Sequence, residues 1–300
     1  MQLDAIVKLA SGKGEPAVAV AAADDAEVLQ AVAMARDKKI ATFLLFGHQE
    51  KIRLAAEAMP GLLDGKSVRV IHAETAAEAA SLAVKAVKDG SASVLMKGLI
   101  PTAVLLRAVL DKESGLQAGK VLSHIAAFEV AGYDRLIFVT DAAMNIAPDL
   151  KQKADIIRNA VRVAQSTGVA RPRVAGIAAL ETVNPAMAAT MDAAVLTQMN
   201  RRGQIADCIV DGPLALDVAV SEEAARHKGL QSEVAGRADI LLVPAIETGN
   251  ALYKSLIYFA GAKVGAVIAG ASAPVVLTSR SDSADNKLFS LALALCSASK

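Results

Sequence analysis

Val275-Val276-Leu277-Thr278-Ser279-Arg280-Ser281-Asp282-Ser283-Ala284-Asp285-Asn286-Lys287 is the stretch on which the reading of this chain turns. A β-branched apolar run gives way to four hydroxyls, an arginine and two acids, and a helical pattern follows at Leu288, Leu291, Leu293 and Leu295. A strand that feeds a helix N-terminus aims unpaired backbone N–H groups at whatever lies in front of it, an arrangement that favours anions. Arg280 adds a planar, permanently charged fork suited to phosphate or carboxylate. Asp282 and Asp285 are expected in the first helical turn, where acids are favoured. Two readings fit: a well-capped helix, or an oxyanion site with a carboxylate beside it.

Working outward, short apolar runs alternate with longer amphipathic segments, the pattern of an α/β protein with a parallel sheet covered on both faces. Strands are expected at 17–21, 42–46, 68–71, 94–96, 136–140, 174–179, 206–210, 240–243, 264–268 and 275–278. Helical patterns occupy 25–37, 76–88, 150–166, 186–201 and 249–260. Thr75 followed by Glu78 forms a capping box, and Asp24 followed by Glu27 is a near relative. Asn184-Pro185 and Gly212-Pro213 each offer a proline for a first helical position. Ten strands without a long linker suggest two fused α/β halves.

The 300 residues suffice for a large core. A net charge of +1 and an aromatic content of 3% without Trp argue against nucleic-acid binding. Mean hydropathy is +0.40, yet the uncharged span between Lys263 and Arg280 is broken by Gly265, Gly270 and Pro274. It is too short for a membrane helix of about 20 residues. The first sixteen residues lack a signal-peptide core, so a cytoplasmic location is expected. Gly12-Lys13-Gly14-Glu15-Pro16-Ala17 has the letters of a dinucleotide loop but precedes its strand, and Pro16 opposes the helix that should follow. Scattered histidines and two separate cysteines, Cys208 and Cys296, give no metal site. P-loop and G-x-S-x-G motifs are absent.

Ligands of α/β sheets gather at the C-terminal ends of strands. The residues there are polar and small: Lys97-Gly98, Thr140-Asp141 with Asn145, Asn184, Asp211-Gly212, Glu247 with Asn250, and Ser279-Arg280. Each alone is explained by solvent-facing loop chemistry; together they describe a polar cleft that holds substrate.

The motifs Met96-Lys97-Gly98-Leu99, Phe138-Val139-Thr140-Asp141-Ala142-Ala143-Met144-Asn145, Val210-Asp211-Gly212-Pro213-Leu214-Ala215 and Leu277 to Ser283 carry a resemblance. In this order, and over nearly the whole chain, they resemble the phosphate acetyl/butyryltransferase family. Ala126-Ala127-Phe128-Glu129 and Asp141 to Asn145 bring the chain nearest the phosphate butyryltransferase branch.

The resemblance implies two three-layer α/β domains of the isocitrate/isopropylmalate dehydrogenase-like type with a cleft between them. Residues 1–127 plus 271–300 would form the first and 128–270 the second. It implies transfer of a short acyl group between coenzyme A and inorganic phosphate, with acyl-CoA, CoA, phosphate and acyl phosphate as partners, no cofactor or metal, and a homodimer or larger homo-oligomer. By position, Ser279 and Arg280 match the family's serine-arginine pair, and Arg107 an arginine that helps bind phosphate. The base falls to Asp285 or Asp282, because the family's aspartate aligns between Asp285 and Asn286. With no cysteine at these motifs, direct attack in a ternary complex is expected. Acetyl rather than butyryl specificity, a non-catalytic CoA or acyl-phosphate sensor, and a metal-dependent 2-hydroxyacid dehydrogenase are the alternatives.

Overall fold

The computed structural model describes residues 2–118, 121–278 and 282–298. In chain order the elements are α1 (Leu3–Ser11), β1 (Ala17–Ala21), α2 (Ala26–Asp37), β2 (Thr42–Gly47), α3 (Gln49–Ala55), β3 (Val68–His72), α4 (Ala76–Lys88), β4 (Val94–Lys97) and α5 (Thr102–Val109). Then come β5 (Ser123–Glu129), β6 (Ile137–Thr140), α6 (Leu150–Ser166), β7 (Arg173–Ile177), α7 (Ala188–Arg201), β8 (Ile209–Leu214), α8 (Leu216–Val220) and α9 (Glu222–His227). The chain ends with β9 (Ile240–Leu242), α10 (Ile246–Tyr258), β10 (Lys263–Ala269), β11 (Val275–Val276) and α11 (Ala284–Ser297). No described helix is long and apolar enough to cross a membrane.

Two compact units divide the chain, one of residues 3–120 and 265–300, the other of residues 121–264 together with residues 1–2. The sequence reading places the crossings near Ala127 and Gly270; in the structure Ala127 lies inside β5 and Gly270 directly follows β10.

In the discontinuous unit the strand order is β3-β2-β1-β4-β11-β10. Pairing is parallel from β3 through β11, and β10 runs antiparallel to β11. The β4 residues are buried along their full length, which a half-exposed sheet could not achieve. Helices α1, α2 and α11 pack together, while α4 lies on β1 and β2 and against α5. Alanine makes that close approach feasible: α4 buries Ala79, Ala80, Ala83, Val84 and Val87 on one helical stripe. Thr75 caps α4 by accepting the Glu78 N–H at 3.1 Å. The Glu78 carboxylate bonds the Glu74 N–H instead of completing the box. At α2 the cap is Asp25, one residue beyond the expected Asp24, because its side chain reaches the Val28 N–H at 2.9 Å.

In the continuous unit the order is β5-β6-β9-β7-β8. Here β5 runs antiparallel to β6, and the remaining pairs are parallel. The sheet is therefore mixed, against the expectation of parallel strands alone. Phe128 and Phe138 are fully buried within it, each worth about 1.5–3 kcal/mol relative to exposure. Gly212-Pro213 starts no helix: it lies inside β8, joined by a cis bond. Pro185 also lies outside a helix, since α7 begins at Ala188, and the Asn184 side chain instead closes a turn by accepting the Ala186 N–H at 3.0 Å.

Candidate active site

In the discontinuous unit β4 delivers Lys97, 8% exposed, to the strand's C-terminal end. Gly98 follows because nothing larger fits. A Cβ there would stand 2.0 Å from the Ala22 carbonyl oxygen, while the Gly98 and Leu99 N–H groups bond the Ala21 and Ala22 carbonyls at 2.8 and 2.6 Å. The ends of β1 and β4 are thus locked together, which fixes the Lys97 backbone. Arg107, in the last turn of α5, is exposed and has no partner among the described residues.

Beyond β11, Thr278 is buried at 7% exposure. Ser279 and Arg280 lie outside the described residues. Ser283 caps α11 by accepting the Asn286 N–H at 3.2 Å. Asp285 is exposed in the first turn, as expected. Asp282 is not in that turn, because the Ser283 hydroxyl takes the cap and Asp282 precedes it.

The sequence reading missed Lys287. It is 2% exposed, and its Nζ donates to Glu27 Oε2 at 2.9 Å and to the Asp282 carbonyl at 2.6 Å. A cation in the first turn opposes the helix dipole, and a buried charge is costly unless paired. That mismatch was the available signal.

In the continuous unit β6 ends at Thr140, whose hydroxyl donates to the His124 carbonyl at 2.9 Å. The Thr140–Asp141 peptide is cis. Asp141 is 3% exposed. Its Oδ1 accepts the Ala143 and Met144 N–H groups at 2.9 and 3.0 Å, and its Oδ2 accepts the Asn145 amide at 2.6 Å. The Asn145 amide also donates to the Leu122 carbonyl at 2.8 Å. Asp141 and Asn145 therefore hold each other and their own turn, while Thr140 ties the end of β6 to β5.

Gly249 brings α10 to that turn: a Cβ on it would lie 2.5 Å from the Asp141 carbonyl oxygen. This places Glu247 and Asn250, both exposed and unpartnered among the described residues, on the helical turn beside Asp141. Asp211 sits elsewhere, on β8, where it accepts the Gly212 N–H at 2.9 Å and the Ser232 hydroxyl at 2.5 Å. It lines a polar cavity of about 500 Å³ with Arg171, Arg201 and Cys208. Burial pushes the Cys208 thiol up to about 11, with Asp207 adding and Arg171 opposing. Ser232, the partner of Asp211, carried no sequence signal.

Among the described residues no cluster of His, Cys, Asp and Glu is able to hold a metal. A family model described as phosphate acetyl/butaryl transferase matches residues 62–295. The chain belongs to the phosphate acetyl/butaryl transferase family. Among relatives, it is 54% identical over 296 residues to the probable phosphate butyryltransferase of Bacillus subtilis (strain 168), covering 99% of this chain and 98% of the relative. It is 46% identical to the phosphate acetyltransferase of Thermotoga maritima, covering 98% of each. Among solved structures, a branched-chain phosphotransacylase from Enterococcus faecalis V583 superposes with a TM-score of 0.83 at 38% identity, over 94% of this chain and 98% of that one. This member of the phosphate acetyl/butaryl transferase family shares the phosphotransacylase α/β fold.

Proposed function

We propose that this chain exchanges a short-chain acyl group between coenzyme A and inorganic phosphate: butyryl-CoA + phosphate ⇌ butyryl phosphate + CoA. The 54% identity to a probable phosphate butyryltransferase, held over nearly the whole chain, carries this reading. An acetyl preference is the second reading, favoured by the 46% identical acetyltransferase. Two methylenes are worth about 1.6 kcal/mol of burial, or roughly 15-fold, so a small change in one pocket wall separates the two.

A phosphate oxygen attacks the thioester carbonyl, the C–S bond breaks, and the proton released by phosphate ends on the CoA sulfur. Phosphate must approach a polyanionic partner, so cations are required to offset repulsion. Arg107, Lys97 and Arg280 are assigned to that task, and Ser279 to the carbonyl oxygen as it gains charge. In reverse, Asp285 or Asp282 takes the CoA thiol proton. With a thiol pKa near 8.5, that transfer needs a base of ordinary strength only. Glu247 and Asn250 are assigned to substrate contact, and Asn184 and Asp211 to the shaping of their loops. A thioester is already activated and nothing changes oxidation state, so the chemistry calls for no metal or nicotinamide. A homodimer or larger homo-oligomer in the cytoplasm belongs to the same reading.

The test is phosphate-dependent release of free thiol from butyryl-CoA and acetyl-CoA, without added metal. Release that requires phosphate supports the reading, and the ratio of kcat/KM values assigns the chain length. Binding of CoA with no release from either thioester would replace it with a sensing role. Arg280→Ala is expected to lower turnover at least ~100-fold, on the scale of losing one transition-state contact. Wild-type turnover in that variant would remove Arg280 from the mechanism.

A further inference from the structure

Lys287 lines a small cavity of about 20 Å³ together with Lys97, Thr278, Asp25 and Glu27. An ammonium carries three donors. Lys287 uses one on Glu27 and one on the Asp282 carbonyl, and has no further partner among the described residues. The third donor belongs to a group 2% exposed, where an unmet hydrogen bond is expensive. A second buried lysine, Lys97 at 8% exposure, lines the same space, and its ammonium already donates to the Gly98 carbonyl at 3.4 Å.

The charged groups lining the cavity differ in exposure. Both ammonium groups are buried, whereas the Glu27 side chain is 61% exposed and Asp25 has one carboxylate oxygen engaged in capping α2. Water therefore screens the Glu27 carboxylate better than the two ammonium groups. The volume suits one water-sized group. A single phosphate oxygen fits, and a whole phosphate does not.

We propose that Lys287 and Lys97 form a niche that receives one oxygen of inorganic phosphate, or of the phosphoryl group of the acyl phosphate, with Lys287 donating its third proton to it. The Glu27 carboxylate shares the Lys287 ammonium and so competes with that oxygen. This inference rests on the acyl-phosphate reading above and adds Lys287 as a phosphate-contacting residue.

The experiment is calorimetric titration of the full chain with inorganic phosphate and, separately, with CoA, for wild type, Lys287→Met and Glu27→Gln. Loss of a charge-assisted hydrogen bond predicts that Lys287→Met weakens phosphate binding by about 10-fold or more. CoA binding should stay within about 2-fold. Glu27→Gln, a change at an exposed side chain, should tighten phosphate binding. An unchanged phosphate Kd in a folded Lys287→Met variant would overturn the niche. Should that variant not fold, weaker or unaltered phosphate binding by Glu27→Gln would overturn it equally. Steady-state kinetics separate phosphate binding at Lys287 from acyl transfer. Phosphate binding that depends on Lys287, in a wild type that releases no thiol, leaves the niche standing and removes the acyl transfer. Thiol release with an unchanged phosphate KM in Lys287→Met does the reverse.

Discussion

Asp141 and Lys287 are both buried charges in the neighbourhood of strand ends, one in each compact unit, and they stand in opposite conditions. Both oxygens of Asp141 are occupied, by two backbone N–H groups and one side-chain amide. Lys287 has two partners for three donors. A buried charge whose hydrogen-bonding capacity is filled by its own chain organises that chain. One with capacity left over is set up to meet something that comes and goes. Burial alone does not distinguish the two, and residual capacity does.

Asp141→Ala should have the largest effect. The substitution leaves the Ala143 and Met144 N–H groups and part of the Asn145 amide without their acceptor in a buried turn. At about 1 kcal/mol or more per orphaned donor, the expected loss is about 3 kcal/mol of stability. Chemical denaturation should show the midpoint falling, with activity falling alongside it. If the variant instead unfolds at the wild-type midpoint and loses only substrate affinity, Asp141 contacts ligand and the distinction collapses.

Arg107 sharpens the other side. Its guanidinium is exposed and has no partner among the described residues, so Arg107→Ala should leave the denaturation midpoint within about 0.5 kcal/mol of wild type. If it steadies phosphate, turnover should nevertheless fall by about 100-fold. Thermal melts and initial rates on the same preparation separate the two effects. A stability loss with normal rates would make Arg107 a structural residue.

The sequence made the framework readable wherever one apolar run meant one strand. The β1 stretch Ala17–Ala21, α4 and α6 fall where periodicity places them. It hid elements whose signal is not periodic. The β5 strand carries His124 and Ser123 within its run, and its antiparallel pairing to β6 has no local marker. The α6 capping box, Asp149 with Gln152, was there to be seen. Gly212-Pro213 reads as a helix start, yet β8 continues through it: the pair sits at a register shift, bracketed by the pairing of Asp211 with Ala175 and of Leu214 with Ile177. At the site, residue types at strand ends pointed to Lys97, Asp141 and Glu247. What each side chain is bonded to depends on residues far along the chain, such as Ser232 for Asp211 and Glu27 for Lys287.

Cys208 extends the comparison to a group that is neutral when buried, and its effect should be the smallest. Burial raises its pKa to about 11 from an ordinary value of 9.0, and the nearby Asp207 carboxylate acts in the same direction. The folded protein therefore holds the thiol proton more tightly than the unfolded chain does. By linkage, this contribution is fully present below pH 9 and is lost as pH rises from 9 through 11. Wild type should accordingly lose more stability between pH 8 and pH 10.5 than Cys208→Ala does, by urea midpoints at the two values. Cys296, also raised by burial, contributes equally to both proteins and cancels. At pH 8 the thiol is protonated and sheltered, so peptide mapping should find Cys208 unmodified by a thiol reagent while the protein is native. Rapid labelling of Cys208 at that pH would mean that the cavity it shares with Asp211 opens freely, and that filled hydrogen bonds at Asp211 do not keep that part of the continuous unit closed.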